Sequence, residues 1–167
     1  MKNAMINYMQ QPKNDELYTP LEAIYPLLKH LPKPPLTVWE CTDFGDSLIT
    51  KYLRANGYNV ISTHLTSFNF LTDTPDFYFD LIITNPPYSL KDEFIERAYY
   101  FDKPFALLLP LTALEGVKRG KLFRKNGVQL IVLDKRINFM KDKKNVWFNT
   151  SWFTYKILQN TIFEEVE

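Results

Sequence analysis

The stretch LIITNPPYSLKDEFIERAYYFDKPFALLL, residues 81–109, decides the fold. Leu81 to Thr84 is an apolar run of strand length, and Asn85-Pro86-Pro87 ends it because proline has no N–H to give to a ladder. Ser89 to Phe101 has helical spacing, with Ser89 and Asp92 in the order of a capping box. Phe105 to Leu109 is apolar again. Strands without polar alternation are covered on both faces, and strand–helix–strand is the repeating unit of a parallel sheet.

The same pattern extends outward. Upstream, Leu17 to Leu31 reads as a helix opened by Thr19-Pro20, with Leu21, Ile24, Leu27, Leu28 and Leu31 on one face. Pro32 to Pro35 connect it to a strand over Leu36 to Cys41. Ser47 to Asn56 is amphipathic through Leu48, Ile49, Tyr52 and Leu53 and stops at Gly57; Asn59 to Thr63 is the next strand. Downstream, Thr112 to Lys125 is a helix with a second capping-box pair, Thr112 and Glu115. Val128 to Leu133 and Val146 to Leu158 are strands with no helix between them, which predicts an antiparallel pair. The fold class is therefore α/β with a mostly parallel sheet. Such sheets bind ligands outside the carboxyl ends of their strands.

Residues 1–167 are expected to form one domain, with 1–14 as a flexible N-terminal arm. With 46% hydrophobic residues the chain can bury a core, which excludes intrinsic disorder. The longest apolar run, Phe105 to Leu109, is far below the roughly 20 residues a bilayer needs. The polar start carries no signal-peptide core, and the lone Cys41 cannot close an internal disulfide. These features predict a cytoplasmic protein without a membrane partner. Charge is uneven: Lys118 to Lys144 holds ten basic residues against Asp134 and Asp142, while the remainder holds ten against seventeen acids. One face built to meet a polyanion would carry such a split.

Asn85-Pro86-Pro87-Tyr88 directly after a strand resembles the acceptor loop of the S-adenosylmethionine-dependent amino-methyltransferases. That group includes DNA adenine-N6, RNA adenine and protein glutamine methyltransferases. The resemblance covers roughly Asp15 to Leu158 and is strongest to small phage and bacterial adenine-specific DNA enzymes. It implies a Rossmann-like methyltransferase fold with a seven-stranded sheet, S-adenosylmethionine as cofactor, DNA as partner and no metal. The target amine is a poor nucleophile because its lone pair is delocalised. In the catalytic loop, the Asn85 side-chain oxygen and the Pro86 carbonyl would accept its two N–H groups and free that lone pair. Pro87 stiffens the backbone, and Tyr88 offers a ring face to an extruded base.

The resemblance also assigns a cofactor site. Glu40 and Gly45, in Glu40-Cys41-Thr42-Asp43-Phe44-Gly45, correspond to an acid and a glycine turn around the cofactor's methionine part, with Thr42 and Phe44 beside them. Tyr18-Thr19-Pro20 is similar to an aromatic-Thr-Pro segment that closes over the cofactor. Two positions depart from the pattern. His64 stands where an acid usually holds the ribose, and Asn69-Phe70 where an Asp-Phe pair meets the adenine. For substrate contact the resemblance and the basic window point to Lys118, Arg119, Lys121, Arg136, Trp147 and Phe148.

Sequence-specific enzymes of this group usually carry a recognition domain, and the 167 residues contain no such segment. Low sequence specificity is the expectation, with a homodimer or a partner as other sources of selectivity. The alternatives are RNA adenine methylation, protein glutamine methylation, or a non-catalytic homologue that binds cofactor or nucleic acid.

Overall fold

The structure is a computed structural model in which residues 19–139 and 149–166 are described. Its helices are α1 (Leu21–Leu28), α2 (Leu48–Ala55), α3 (Lys91–Tyr100) and α4 (Val117–Asn126). Its strands are β1 (Thr37–Glu40), β2 (Asn59–Ser62), β3 (Leu81–Thr84), β4 (Phe105–Pro110), β5 (Gln129–Leu133), β6 (Thr150–Tyr155) and β7 (Ile162–Glu164). They form one seven-stranded sheet in the order β2-β1-β3-β4-β6-β5-β7, in which β6 runs against its neighbours β4 and β5. The expected α/β architecture and antiparallel pair are both present.

Alternation along the buried strands explains the layers. Leu81, Ile83, Ala106 and Leu108 face one core, where Ala23, Ile24 and Leu27 of α1 meet Ile49 and Leu53 of α2. Ile82, Phe105, Leu107 and Leu109 face the other, where Phe94, Ile95 and Ala98 of α3 pack. Trp39 of β1 is fully buried in that second core, edge-on to Phe68, Phe70, Phe77 and Phe101. Burying both faces of each central strand is what makes a run such as Leu81-Ile82-Ile83 a strand despite its lack of period-two polarity. Trp152 Nε1 donates to the Ala23 carbonyl at 2.7 Å and fixes α1 on the sheet.

Several expected elements differ in extent. The first helix begins at Leu21, with Pro20 as its N-cap, and ends at Leu28; Tyr18 lies outside the described residues. Neither capping box forms. A 3-10 turn over Tyr88–Leu90 precedes α3, whose N-cap is Leu90 without a side-chain bond, and Asp92 pairs instead with Arg119. The helix expected from Thr112 is a 3-10 turn over Leu111–Leu114, followed by α4. Gly116 separates them with φ +119°, a conformation favoured by glycine. The last long strand is shorter, Thr150–Tyr155.

Periodicity does not predict β7, because three residues are too short to show one. It adds parallel to β5 through Ile131↔Ile162 and Leu133↔Glu164. His30 and Lys29 hold Glu164 at 2.6 and 2.9 Å, so His30 has a structural role. No helix among the described residues is long and apolar enough to cross a membrane.

Candidate active site

The chain leaves β1 for β2 on one side and returns to β3 on the other. The carboxyl ends of β1 and β3 therefore diverge at a topological switch point, where open α/β sheets have their ligand crevice. Glu40 ends β1 and is 2% exposed. Its Oε1 accepts from the Thr42 amide at 3.3 Å, from Thr42 Oγ1 at 3.0 Å and from Thr84 Oγ1. Burial pushes its carboxyl up to about 8, against the lowering effect of these hydrogen bonds, and the nearby Asp43 charge raises it further. Among the described residues no cation pairs with it.

The following loop is built by Asp43, which sequence reasoning passed over. Its carboxylate accepts from Thr50 Oγ1 at 2.5 Å, Ser47 Oγ at 2.9 Å, Ser47 N at 3.1 Å and Asp46 N at 3.3 Å. Ser47 is also the N-cap of α2, accepting from Thr50 N at 3.1 Å. Burial raises the Asp43 pKa, but the bonds from Thr50 and Ser47 outweigh it and hold the carboxyl below its ordinary value. The available signal was oxygen-bearing side chains at 43, 47 and 50, the spacing of a helix start. Gly45 has φ +99°; a Cβ there would find room, its nearest neighbour being Ser62 Cβ at 3.9 Å, so backbone conformation is what requires glycine.

Asp43→Ala leaves the buried Thr50 hydroxyl without its shortest partner and should cost about 2 kcal/mol of stability. A depressed folded pKa contributes stability above the unfolded value near ~3.9, lost as pH falls through the folded value. Urea titrations from pH 6 to pH 3 should therefore show a weaker acid dependence in the variant than in wild type. Parallel curves would rule out this role for Asp43.

Phe44, 69% exposed, stacks on the buried His64 with ring centroids 3.8 Å apart and planes at 22°. The Thr66 amide donates to His64 Nδ1 at 3.3 Å. Thr66 Oγ1 lies closer to the same nitrogen, at 2.8 Å. The structure thus joins two residues, from the turns after β1 and β2, that the sequence places only separately. Asn69 and Phe70 differ from expectation. Asn69 Oδ1 accepts from Leu71 N at 3.0 Å, which commits it to its own turn. Phe70 is fully buried, 5.1 Å from Trp39 and 5.0 Å from Phe94, so it is a core residue and not a surface for adenine. Thr19 is buried, and Pro20 half-buried, at the start of α1.

Across the switch point, Asn85-Pro86-Pro87-Tyr88 follows β3 directly. Pro86 and Pro87 are buried, and Asn85 Oδ1 is buried as well. Thr42 Oγ1 lies 2.7 Å from Thr84 Oγ1 and 3.4 Å from the Asn85 carbonyl, tying the two strand ends together. Leu90 N donates to the Pro87 carbonyl at 2.9 Å, which turns the chain into α3. Phe139 stands edge-on to the Tyr88 ring, with centroids 6.5 Å apart. Trp147 and Phe148 lie outside the described residues.

The basic segment is less available than its composition implies. Arg119 is a clasp: it pairs with Asp92 and donates to the carbonyls of Ala113, at 2.8 Å from Nε, and Glu115. This corrects its reading as a substrate contact, since a guanidinium that braces two turns is committed to the fold. Lys118 is exposed but held by Glu96 at 2.6 Å. Lys121, Arg124, Lys125 and Arg136 are exposed.

An α/β sheet with an acid-bearing turn and an Asn-Pro-Pro-Tyr loop on either side of its switch point is the class of molecule these observations define. No family model matches the chain, and no curated protein matches it. Among solved structures, the fold is similar to one described as a class I S-adenosylmethionine-dependent methyltransferase from Listeria monocytogenes. That match has 12% identity and a TM-score of 0.57, and covers 98% of this chain and 70% of the other. A TehB-like methyltransferase from Corynebacterium glutamicum aligns with TM-score 0.48, 12% identity and coverage of 94% and 97%. A modification subunit of a type I restriction enzyme from Vibrio vulnificus aligns with TM-score 0.49, 12% identity and coverage of 98% and 50%. The first likeness identifies the fold as the Rossmann-like methyltransferase fold.

Proposed function

We propose that this protein is an S-adenosylmethionine-dependent methyltransferase acting on the exocyclic N6 amine of adenine in DNA, with low sequence specificity. The observation that carries the reading is the Asn85-Pro86-Pro87-Tyr88 loop, hydrogen-bonded through Thr42 to the Glu40 turn across the switch point. The residues present fit the cofactor. Glu40 is a buried carboxyl with no cation among the described residues, as suits a ligand ammonium. The His64 imidazole, after β2, stands at the position the resemblance gives to a ribose contact, and Phe44 shields that side.

When bound, S-adenosylmethionine supplies a sulfonium methyl group. The chain's own residues prepare the acceptor. Asn85 Oδ1 and the Pro86 carbonyl accept the two N–H groups, and Tyr88 stacks on the base with Phe139 at its edge. The amine, its lone pair freed by Asn85 and Pro86, would take up that methyl group, and its surplus proton would leave to solvent. Alignment of this kind is worth up to ~7–11 kcal/mol in intramolecular models, so no protein nucleophile is required.

Radiolabelled methyl transfer to DNA, RNA and protein pools, followed by nucleoside analysis, tests the reading. Label in N6-methyldeoxyadenosine is the expected result. Label confined to RNA adenine or to protein glutamine would replace the substrate, and donor binding without transfer would leave a non-catalytic module. Lys121→Glu should lower DNA affinity and reduce the salt slope of binding by about one. An unchanged slope would remove α4 from the DNA interface.

A further inference from the structure

Four oxygens from two strand ends form a continuous chain at the switch point. Thr84 Oγ1 donates to Glu40 Oε1. Thr42 Oγ1 stands 3.0 Å from Glu40 Oε1, 2.7 Å from Thr84 Oγ1 and 3.4 Å from the Asn85 carbonyl oxygen. Thr84 is fully buried and Glu40 nearly so, which keeps water from substituting for either. A threonine hydroxyl has one hydrogen, so Thr42 has three acceptors in reach and can satisfy one fully. Which one it satisfies depends on charge, because a hydrogen bond to a carboxylate is roughly twice as strong as one between neutral groups.

We propose that Thr42 and Thr84 are positioning residues that transmit the protonation state of Glu40 to the acceptor loop, so that occupation of the donor side by a cation sets the geometry of the methyl-accepting side. With Glu40 protonated, the Thr42 hydrogen is shared with the Asn85 carbonyl and holds the start of the loop against β1. With Glu40 ionised by an ammonium, the carboxylate takes that hydrogen and the Asn85 carbonyl is released. The Asn85 carbonyl belongs to the peptide that leads into Pro86, whose own carbonyl is the second amine acceptor in the functional reading on which this inference rests. Ordered binding follows, donor before acceptor. The titratable groups that bear on Glu40 among the described residues are Asp43, whose charge opposes its ionisation, and Cys41, whose thiol burial keeps neutral. From β3 only the Thr84 hydroxyl reaches it.

The coupling can be read in the protein without donor or substrate. In glutamate- and tyrosine-labelled protein, NMR follows the Glu40 carboxyl, assigned with Glu40→Gln, and the Tyr88 ring, assigned with Tyr88→Phe. In wild type both should titrate with one midpoint. In Thr84→Val the Glu40 midpoint should rise by about one pH unit, because a bond favouring the charged form is gone, and Tyr88 should follow it to the new midpoint through Thr42. Thr42→Val should uncouple Tyr88 from Glu40, and Thr84→Ser should restore the wild-type midpoint. In turnover, Thr42→Val should lower kcat about tenfold. A Tyr88 signal that ignores Glu40 in wild type, or follows it equally in both valine variants, overturns the relay. Coupling that persists in a protein transferring no methyl group would sustain the relay and sink the enzymatic reading.

Discussion

Asn85→Ala should reduce methyl transfer at least about a hundredfold while donor binding stays within about twofold of wild type. The size follows from the loss of one preorganised polar contact at the reacting group, which typically costs ~10²–10³ in rate. The separation of the two effects follows from the architecture. Asn85 belongs to the loop after β3, whereas Glu40 ends β1 and Phe44, Gly45 and His64 sit in the turns after β1 and β2. The link between the halves runs through the Asn85 backbone carbonyl, which alanine retains. Equilibrium donor binding and single-turnover transfer, measured on the same preparation, check both. A fully active Asn85→Ala protein would end the proposed mechanism, and a parallel loss of donor affinity would show that the two halves are not separable.

Glu40→Gln should make the protein more stable and less able to bind donor. In the wild-type chain the Glu40 carboxyl titrates at about 8 against an ordinary value of 4.5, because burial disfavours its charge. Between those pH values the unfolded chain gives up a proton that the folded chain retains, so stability falls as pH rises through that window. At ~1.4 kcal/mol for each pH unit crossed, the loss accumulated by pH 8 is at most about 5 kcal/mol. Glutamine keeps an acceptor oxygen for Thr84 and Thr42 and cannot ionise. The variant should therefore gain on wild type progressively from pH 5 to pH 8, with thermal unfolding as the readout. Donor affinity should drop tenfold or more, since the carboxylate that answers the ammonium is gone. In wild type, donor binding near pH 7 should release protons, visible as a buffer-dependent calorimetric enthalpy. A Glu40→Gln protein that is less stable than wild type at pH 8 would contradict the burial account, and unchanged donor affinity would detach Glu40 from the cofactor. Stability given up at one buried acid is what a ligand-binding group looks like before its ligand arrives.

The two halves of the site differ in how far the sequence reveals them. Asn85-Pro86-Pro87-Tyr88 is contiguous, and its conformation follows from proline's missing N–H and fixed φ, so it can be read directly. Glu40 and Gly45 are legible as the end of an apolar strand and the one glycine after it. The cradle around them is not. Asp43 works through Ser47, Thr50 and Ser62, and Ser62 enters only because β2 lies beside β1. Thr84 has no signal of its own, since a threonine ending an apolar strand is commonplace until its neighbour across the sheet proves to be a buried acid.

By itself the sequence determined the layers. Strands with no polar face must be covered on both sides, and alternation with helices makes the sheet parallel; hydrophobic periodicity and proline chemistry are local properties carried by consecutive residues. Only the tertiary structure decided which charges were available and which aromatics were surfaces. Arg119 reads in the sequence as a free cation of a basic window, yet Asp92, 27 residues away, takes it up. Phe70 reads as a neighbour of a ligand, yet Trp39 and Phe94 enclose it, while Phe44, no more hydrophobic, stands open on His64. Desolvation and ion pairing depend on residues distant in the chain, so a side chain's chemistry is settled only once the sheet has brought its neighbours to it.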